Sequence, residues 1–362
     1  MLVKEIVRAA SCVDLFCGVG GLTHGFVREG LRVSAGIDVD PVCKYPYEAN
    51  NDARFVMADV ANFDPDALDR LFDPGSIKVL AGCAPCQPFS TYSQRYDTKS
   101  DGKWALLYKF AELAKTTRPD VLTMENVATL ERHQVFRDFV AALDNANYHV
   151  WYRVIDCSAY GVPQTRRRMV LLASRHAPIA LIPPTHERPK TVKQAIGRLR
   201  PIGAGEAAPR DPLHVSAGLT PLNLKRIRAS KPGGTWQDWP KRLVAECHRA
   251  DTGRTYRSVY GRMEWDKPAP TMTTQCYGYG NGRFGHPEQD RAISLREAAM
   301  IQSFPRDYRF VEPGHAIEFA PIGRMIGNAV PVALGRAIAR SIDHHLQSVF
   351  GSEYDHKGQP NA

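Results

Sequence analysis

Apolar positions in the first 175 residues fall into short runs separated by helix-patterned stretches. Residues 11–16, 32–37, 54–58, 77–81, 121–124, 150–155 and 169–173 read as strands. Residues 22–29, 41–50, 104–116 and 135–145 carry helical spacing, the second with a proline near its start. Strand alternating with helix predicts an α/β domain with a mostly parallel sheet covered on both faces. After Ser174 the pattern changes. Pro183, Pro184 and Pro189 come close together, Pro-Gly-Gly follows at 232–234, and helical periodicity fades. Trp236, Trp239, Tyr256, Tyr260 and Trp265 are interleaved with Arg and Lys, which predicts a second, smaller and irregular domain with Trp236 and Trp239 in its core. Regular helices are expected again at 294–303 and 323–344, and the polar tail 351–362 is expected to fray. The expected division is a first domain at 1–178, an irregular one at 179–285, a C-terminal return at 286–348 and a flexible tail at 349–362.

Charge sharpens this division. The 362 residues hold 47 Lys and Arg against 38 Asp and Glu, a net charge of +9. Between Arg175 and Lys267 the count is 18 against 8, a balance of +10, so the rest of the chain is near neutral. A local basic block suits a face that binds a polyanion, and equally a solvated surface. At 43% hydrophobic and 23% charged, the composition excludes a mainly disordered chain. No apolar run is long enough to span a bilayer, and Lys4, Glu5 and Arg8 interrupt the start, so a cytoplasmic protein is expected. Of eight cysteines only Cys83 and Cys86 form a C-x-x-C pair, and no second pair completes a zinc site. No metal is expected; a reactive thiol suits the pair better.

Three constellations carry chemistry. The first is Asp14-Leu15-Phe16-Cys17-Gly18-Val19-Gly20-Gly21, a strand running into a glycine turn before a helix. It lacks the third glycine of the dinucleotide fingerprint, and Asp14 suits an ammonium better than a phosphate. Asp38, 24 residues on, stands at the end of the second strand, where an acid accepts ribose hydroxyls. Asp59 follows the third strand and could accept from an adenine amino group. A nucleoside with an amino acid and no phosphate describes S-adenosylmethionine, although a tight turn with surface carboxylates would show the same residues. The second constellation is Gly82-Cys83-Ala84-Pro85-Cys86-Gln87-Pro88-Phe89-Ser90 after the fourth strand, with Glu125 at the end of the fifth. Pro85 and Pro88 stiffen the loop around Cys86 and argue against a thioredoxin-type pair, which opens a helix directly. If the two strands are neighbours, Glu125 reaches a substrate held at Cys86. The third is Gln164-Thr165-Arg166-Arg167-Arg168 leading into an apolar strand; one or two of these arginines must turn toward a neighbour.

Together these motifs resemble the DNA cytosine-5 methyltransferase family of the bacterial restriction-modification type. The likeness runs through Pro85-Cys86-Gln87, Glu125-Asn126-Val127, Arg166 and Arg168, the helix 294–305, and Ile326-Gly327-Asn328-Ala329-Val330-Pro331. The resemblance implies a Rossmann-like methyltransferase sheet and sequence-specific methylation of double-stranded DNA. It implies that Asp14, Phe16, Gly18, Gly20, Gly21, Asp38, Val39, Asp59, Val60, Pro85, Asn328 and Ala329 hold S-adenosylmethionine. It implies that Gln87, Ser90 and basic residues within 179–285 meet DNA. Val39 departs from the family, which often has an aromatic residue there against adenine. By the same resemblance, Cys86 adds to carbon 6 of a flipped-out cytosine, Glu125 assists at ring nitrogen 3, and Arg168 steadies the carbonyl oxygen, with Arg166 also counted among the catalytic residues. An acid role for Glu125 needs a carboxyl that holds its proton, which desolvation in a closed pocket could supply. A tRNA cytosine methyltransferase fits less well, because no Cys-Phe-Thr precedes the basic region. A catalytically inactive DNA-binding relative fits less well because Cys86, Glu125 and Arg168 are all intact, and an NAD oxidoreductase because of the glycine pattern. A monomer from a bacterium or archaeon is expected, with a cognate restriction endonuclease as its functional partner.

Overall fold

The computed structural model describes residues 8–85, 104–250 and 253–355. The chain forms two compact units: Met1–Asp156, Arg167–Pro184 and Val330–Ala362 make the first, and Cys157–Arg166 with Thr185–Ala329 the second.

The first unit is built on the strands β1 (Arg8–Leu15), β2 (Val33–Asp38), β3 (Arg54–Met57), β4 (Ile77–Gly82), β5 (Val121–Val127), β6 (His149–Asp156) and β7 (Arg167–Ser174). Their order across the sheet is β3-β2-β1-β4-β5-β7-β6. From β3 to β5 all neighbours are parallel, while β7 runs antiparallel to both β5 and β6. The inner strands β4, β5 and β7 are buried almost throughout, which is why they read as apolar runs. Edge strand β6 is the least covered, with only Ile155 buried, although its sequence is largely apolar and aromatic.

Strand order places the site. The chain moves outward from β1 to β3 and then crosses to β4 on the other side of β1. That reversal opens a crevice between the carboxyl ends of β1 and β4, where open α/β sheets bind ligands. The two ends lie side by side, Leu15 opposite Gly82, and Cys83 N donates to Leu15 O at 3.2 Å.

Helices α1 (Gly21–Arg28), α2 (Lys44–Asn50), α3 (Pro65–Asp69), α4 (Ala105–Thr117) and α5 (Gln134–Asn145) cover the sheet. One core runs from Val13 and Leu80 through Phe110, Phe136 and Phe139 to Leu171. The C-terminal helix Val332–Phe350 packs on α1 where Gly25 meets the Gly335 backbone. Glu29 at the end of α1 pairs with Arg336 and, at 2.7 Å, with Arg340.

Two expectations are corrected. The single helix at 323–344 is two helices, Phe319–Asn328 and Val332–Phe350. Ala329 is extended (ψ 144), and Pro331 disfavours the helical conformation in the residue before it. The tail at 349–362 is ordered at its start: Tyr354–Asp355 pairs in parallel with Arg8 and Ala9, and the Tyr354 hydroxyl lies 3.1 Å from Asp343 Oδ1. Residues 356–362 lie outside the described residues.

The second unit has little regular structure, as its composition predicts. It holds short helices and a two-stranded ribbon, Ala207–Ala208 against Asp211–Val215. Its core gathers Ile227, Trp236, Trp239, Leu243, Tyr279 and Ala292, so both tryptophans are core residues. Fully buried Arg291 pairs with Glu297 at 2.7 and 2.8 Å, and Glu297 also closes the capping box of the helix Leu295–Ile301 with Ser294. This unit exceeds the segment 179–285. It takes in 157–166 because the Gln164 amide donates to Ile301 O (3.0 Å) and Gln302 Oε1 (2.7 Å) and Thr165 N to Ala269 O (2.8 Å).

Candidate cofactor and catalytic site

The glycine loop leaves β1 through left-handed backbone at Phe16 (φ 57), Gly18 (φ 51) and Gly20 (φ 83). A Cβ at Gly18 would meet nothing within 4 Å, so conformation rather than crowding calls for glycine there. Asp38 holds the loop. Its Oδ2 accepts from Gly18 N at 2.8 Å and its Oδ1 from Asp40 N at 2.9 Å. Each carboxylate oxygen retains a second lone pair for a ribose hydroxyl.

Asp14 is 1% exposed. Thr23 donates to its Oδ2 at 2.7 Å, and Tyr47 OH lies 3.1 Å from the same hydroxyl. Its Oδ1 is buried with no hydrogen-bond partner among the described residues. Burial pushes its pKa up to about 7, opposed by the Thr23 bond. A buried carboxylate oxygen without a donor, next to an open glycine turn, fits a ligand that brings a cation.

Past Asp38 the surface is apolar. Val39 is 66% exposed, Val42 41% and Met57 64%. Met57 is the register partner of Asp38. Exposed Asp59 follows, accepting from Ala61 N at 2.9 Å, with Val60 buried beside it. Carboxylates beside an apolar ledge suit a nucleoside. Met57 was not legible as a site residue; the signal was an apolar residue ending an edge strand in register with an acid.

On the other side of the crevice, Asn126 Nδ2 donates to Ala84 O at 3.0 Å and ties the loop after β4 to β5. Pro85 is exposed and is the last described residue there. Cys86, Gln87 and Ser90 lie outside the described residues. Parallel pairing of β4 and β5, with Gly82 opposite Met124, meets the condition that places Glu125 beside the chain leading to Cys86.

Glu125 is 7% exposed, and Arg168 Nε lies 2.9 Å from its Oε1. The register pairs Glu125 with Val170 and Val127 with Arg168, so the two side chains are diagonal neighbours on one face. A guanidinium and a carboxylate thus lie in direct contact between these two strands. Arg166 turns inward too, at 3% exposed, and donates to Met272 O (3.0 Å) and Gly327 O (3.4 Å). Those contacts make it a clasp on two backbone carbonyls. Asn328 is exposed at the end of the helix Phe319–Asn328, and Ala329 O accepts from Gln302 Nε2 at 2.5 Å.

A reversed parallel sheet, a glycine turn without a phosphate cradle and carboxylates at successive strand ends fit the class of S-adenosylmethionine-dependent methyltransferases. The family model for C-5 cytosine-specific DNA methylases matches residues 10–344, and the chain belongs to that family. It is 52% identical over 342 residues to the Type II methylase M.HgiDII of Herpetosiphon aurantiacus, covering 93% of this chain and 96% of that one. It is 30% identical to the Type II methyltransferase M1.HphI of Haemophilus parahaemolyticus, over 91% of this chain and 86% of the relative. Among solved structures, a DNA modification methyltransferase encoded within an E. coli prophage superposes with a TM-score of 0.71 at 20% identity. That match covers 93% of this chain and 99% of the other and speaks to the fold. No helix among the described residues is long and apolar enough to cross a membrane.

Proposed function

We propose that this DNA cytosine-5 methyltransferase works through a covalent Cys86 adduct on a cytosine flipped out of double-stranded DNA. The observation that carries the reading is the pair between Glu125, on the strand next to the one that leads to Cys86, and Arg168 on the strand beyond it. S-adenosylmethionine supplies an electrophilic methyl group. Asp14 would hold its ammonium, Asp38 its ribose, and Val39, Met57, Asp59 and Val60 its adenine, with Phe16, the glycines and Pro85 closing around it.

Carbon 5 of cytosine is a weak nucleophile and needs activation. The Cys86 thiolate adds to carbon 6, forming the sulfur–carbon bond as the 5,6 double bond's electrons move toward ring nitrogen 3. Glu125 receives the ring nitrogen and exocyclic amino edge, and Arg168 steadies charge on the base. Opening of the Glu125–Arg168 pair as the base enters gives each group its substrate contact. Carbon 5 then takes the methyl group. Loss of the carbon 5 proton and cleavage of the bond to Cys86 release 5-methylcytosine. The unit around 185–329, with the basic residues of 179–285, recognises the DNA sequence. The named relatives are Type II methylases, and we infer a restriction endonuclease as functional partner. A monomer acting on one strand at a time suffices.

The experiment is a duplex carrying 5-fluorocytosine at the target position. Fluorine cannot leave as a proton does, so the adduct is trapped. A protein–DNA conjugate located at Cys86 by peptide mass, and absent in Cys86→Ala, is the expected result. Methylation of unsubstituted DNA at full rate by Cys86→Ala would refute the covalent route.

A further inference from the structure

Residues 278–283 form a glycine-interrupted loop, Gly-Tyr-Gly-Asn-Gly-Arg, on the core of the second unit. Two buried aromatics anchor it. Tyr279 is 3% exposed, its hydroxyl lies 2.7 Å from Ser230 Oγ, and the Trp239 indole donates to that same oxygen at 2.8 Å. The Tyr279 ring packs edge-on against Tyr260 at 5.4 Å, and Phe284 is 2% exposed. Between these anchors the crest projects, and Asn281 and Arg283 are exposed.

Both exposed side chains lie against glycine. A Cβ at Gly278 would stand 2.2 Å from Asn281 Nδ2, and one at Gly261 would stand 2.5 Å from Arg283 Cγ. The glycines therefore leave seats that an amide and a guanidinium stem occupy. Neither side chain has a hydrogen bond or ion pair among the described residues. Arg228 and Arg262 differ, since both are bound to Asp290. The chain entering the loop is held at its start, where Met272 N donates to Gln164 Oε1 and Met272 O accepts from Arg166, both at 3.0 Å. Arg166 is two residues from Arg168 in the chain, so the loop is tethered to the segment that carries the catalytic arginine.

We propose that Asn281 and Arg283 read base edges in the recognition sequence, Arg283 a guanine through its O6 and N7 and Asn281 an adenine through its N6 and N7. The inference rests on the reading of this unit as the DNA-recognition unit. Those pairings follow from side-chain geometry: a guanidinium fork matches two acceptors, and an amide matches one donor and one acceptor. A groove only about 12 Å wide admits a narrow crest, and Gly280 and Gly282 keep this one free of flanking side chains. Polar groups that are exposed yet seated have less conformational freedom to lose on binding than long side chains on open surface.

The test is methylation of a duplex library with randomised positions around the target cytosine, read by bisulfite sequencing, for wild type, Arg283→Ala, Arg283→Lys and Asn281→Ala. Arg283→Ala should lose selection for one guanine, with discrimination at that position falling about 5- to 150-fold. Asn281→Ala should lose selection for one adenine by a similar factor, and Arg283→Lys should keep part of the guanine preference. Unchanged selectivity in Arg283→Ala and Asn281→Ala would overturn the proposal, as would a uniform loss of rate with the recognition sequence intact. Near-ultraviolet circular dichroism of the aromatic core, unchanged in the variants, shows that the loop's seat survives. A wild type that modifies no duplex would instead overturn the DNA reading on which the proposal stands.

Discussion

Arg168 meets Glu125 across two antiparallel strands, guanidinium nitrogen to carboxylate oxygen at 2.9 Å, with both side chains mostly buried. Neither charge sits comfortably there without the other. In the proposed mechanism each acts on the cytosine, and the substrate-free protein then holds the two groups as a pair. Arg168→Ala should lower kcat about 10²- to 10³-fold, and Glu125→Gln about 10²- to 10⁴-fold. Groups that act as a unit are non-additive, so the double variant should fall well short of the product. Single-turnover methylation of the four proteins checks this; a fully multiplicative loss would separate the two roles.

If Asp14 holds the cofactor's ammonium as proposed, cofactor binding should depend on pH. Its folded value, about 7, lies above the ordinary 3.8, so the folded protein keeps this proton where the unfolded chain has lost it. Stability from this group is therefore present at low pH and declines as pH rises through about 7. A bound ammonium favours the carboxylate, so binding below that value must release a proton. Affinity for S-adenosylmethionine should rise about tenfold per unit up to about pH 7 and then level. Calorimetry in buffers of different ionisation enthalpy should show the released proton, and Asp14→Asn should bind weakly with no such slope.

In the proposed cofactor site Met57 would offer the adenine an apolar contact beside Val39. Met57→Ala should weaken cofactor binding about three- to tenfold, the effect of removing roughly 1 kcal/mol of apolar contact, with turnover at saturation unchanged. Equilibrium dialysis against S-adenosylhomocysteine reads it directly.

The contact between α1 and the C-terminal helix has no room to spare. A Cβ at Gly25 would stand 2.6 Å from Gly335 C and 2.7 Å from Arg336 N, both backbone atoms that cannot swing aside. Gly25→Ala should cost about 1–3 kcal/mol by overpacking. Urea unfolding followed by circular dichroism would show the lowered midpoint.

How much of this was legible in the sequence differs from place to place. Strands β1, β4 and β5 were readable because burial on both faces makes them continuous apolar runs, and their chemistry sits at their ends. The antiparallel insertion of β7 was not readable, since an apolar run carries no direction, yet that direction brings Arg168 to Glu125. The break at Ala329 lay between two helical patterns; Pro331 was the cue. The place of Gln164 in the second unit depends on partners 137 and 138 residues away, which no local pattern reveals. Pairing of Tyr354–Asp355 with β1 involves two residues, too few to carry a period.

Bisulfite sequencing of a mixed-sequence duplex, incubated with the purified protein and S-adenosylmethionine, tests the central claim most directly. Protected cytosines at one short recurring sequence are the predicted result, and they reveal the recognition site at the same time. Complete conversion of every cytosine, with the protein folded and the cofactor bound, would contradict sequence-specific methylation of DNA by this chain.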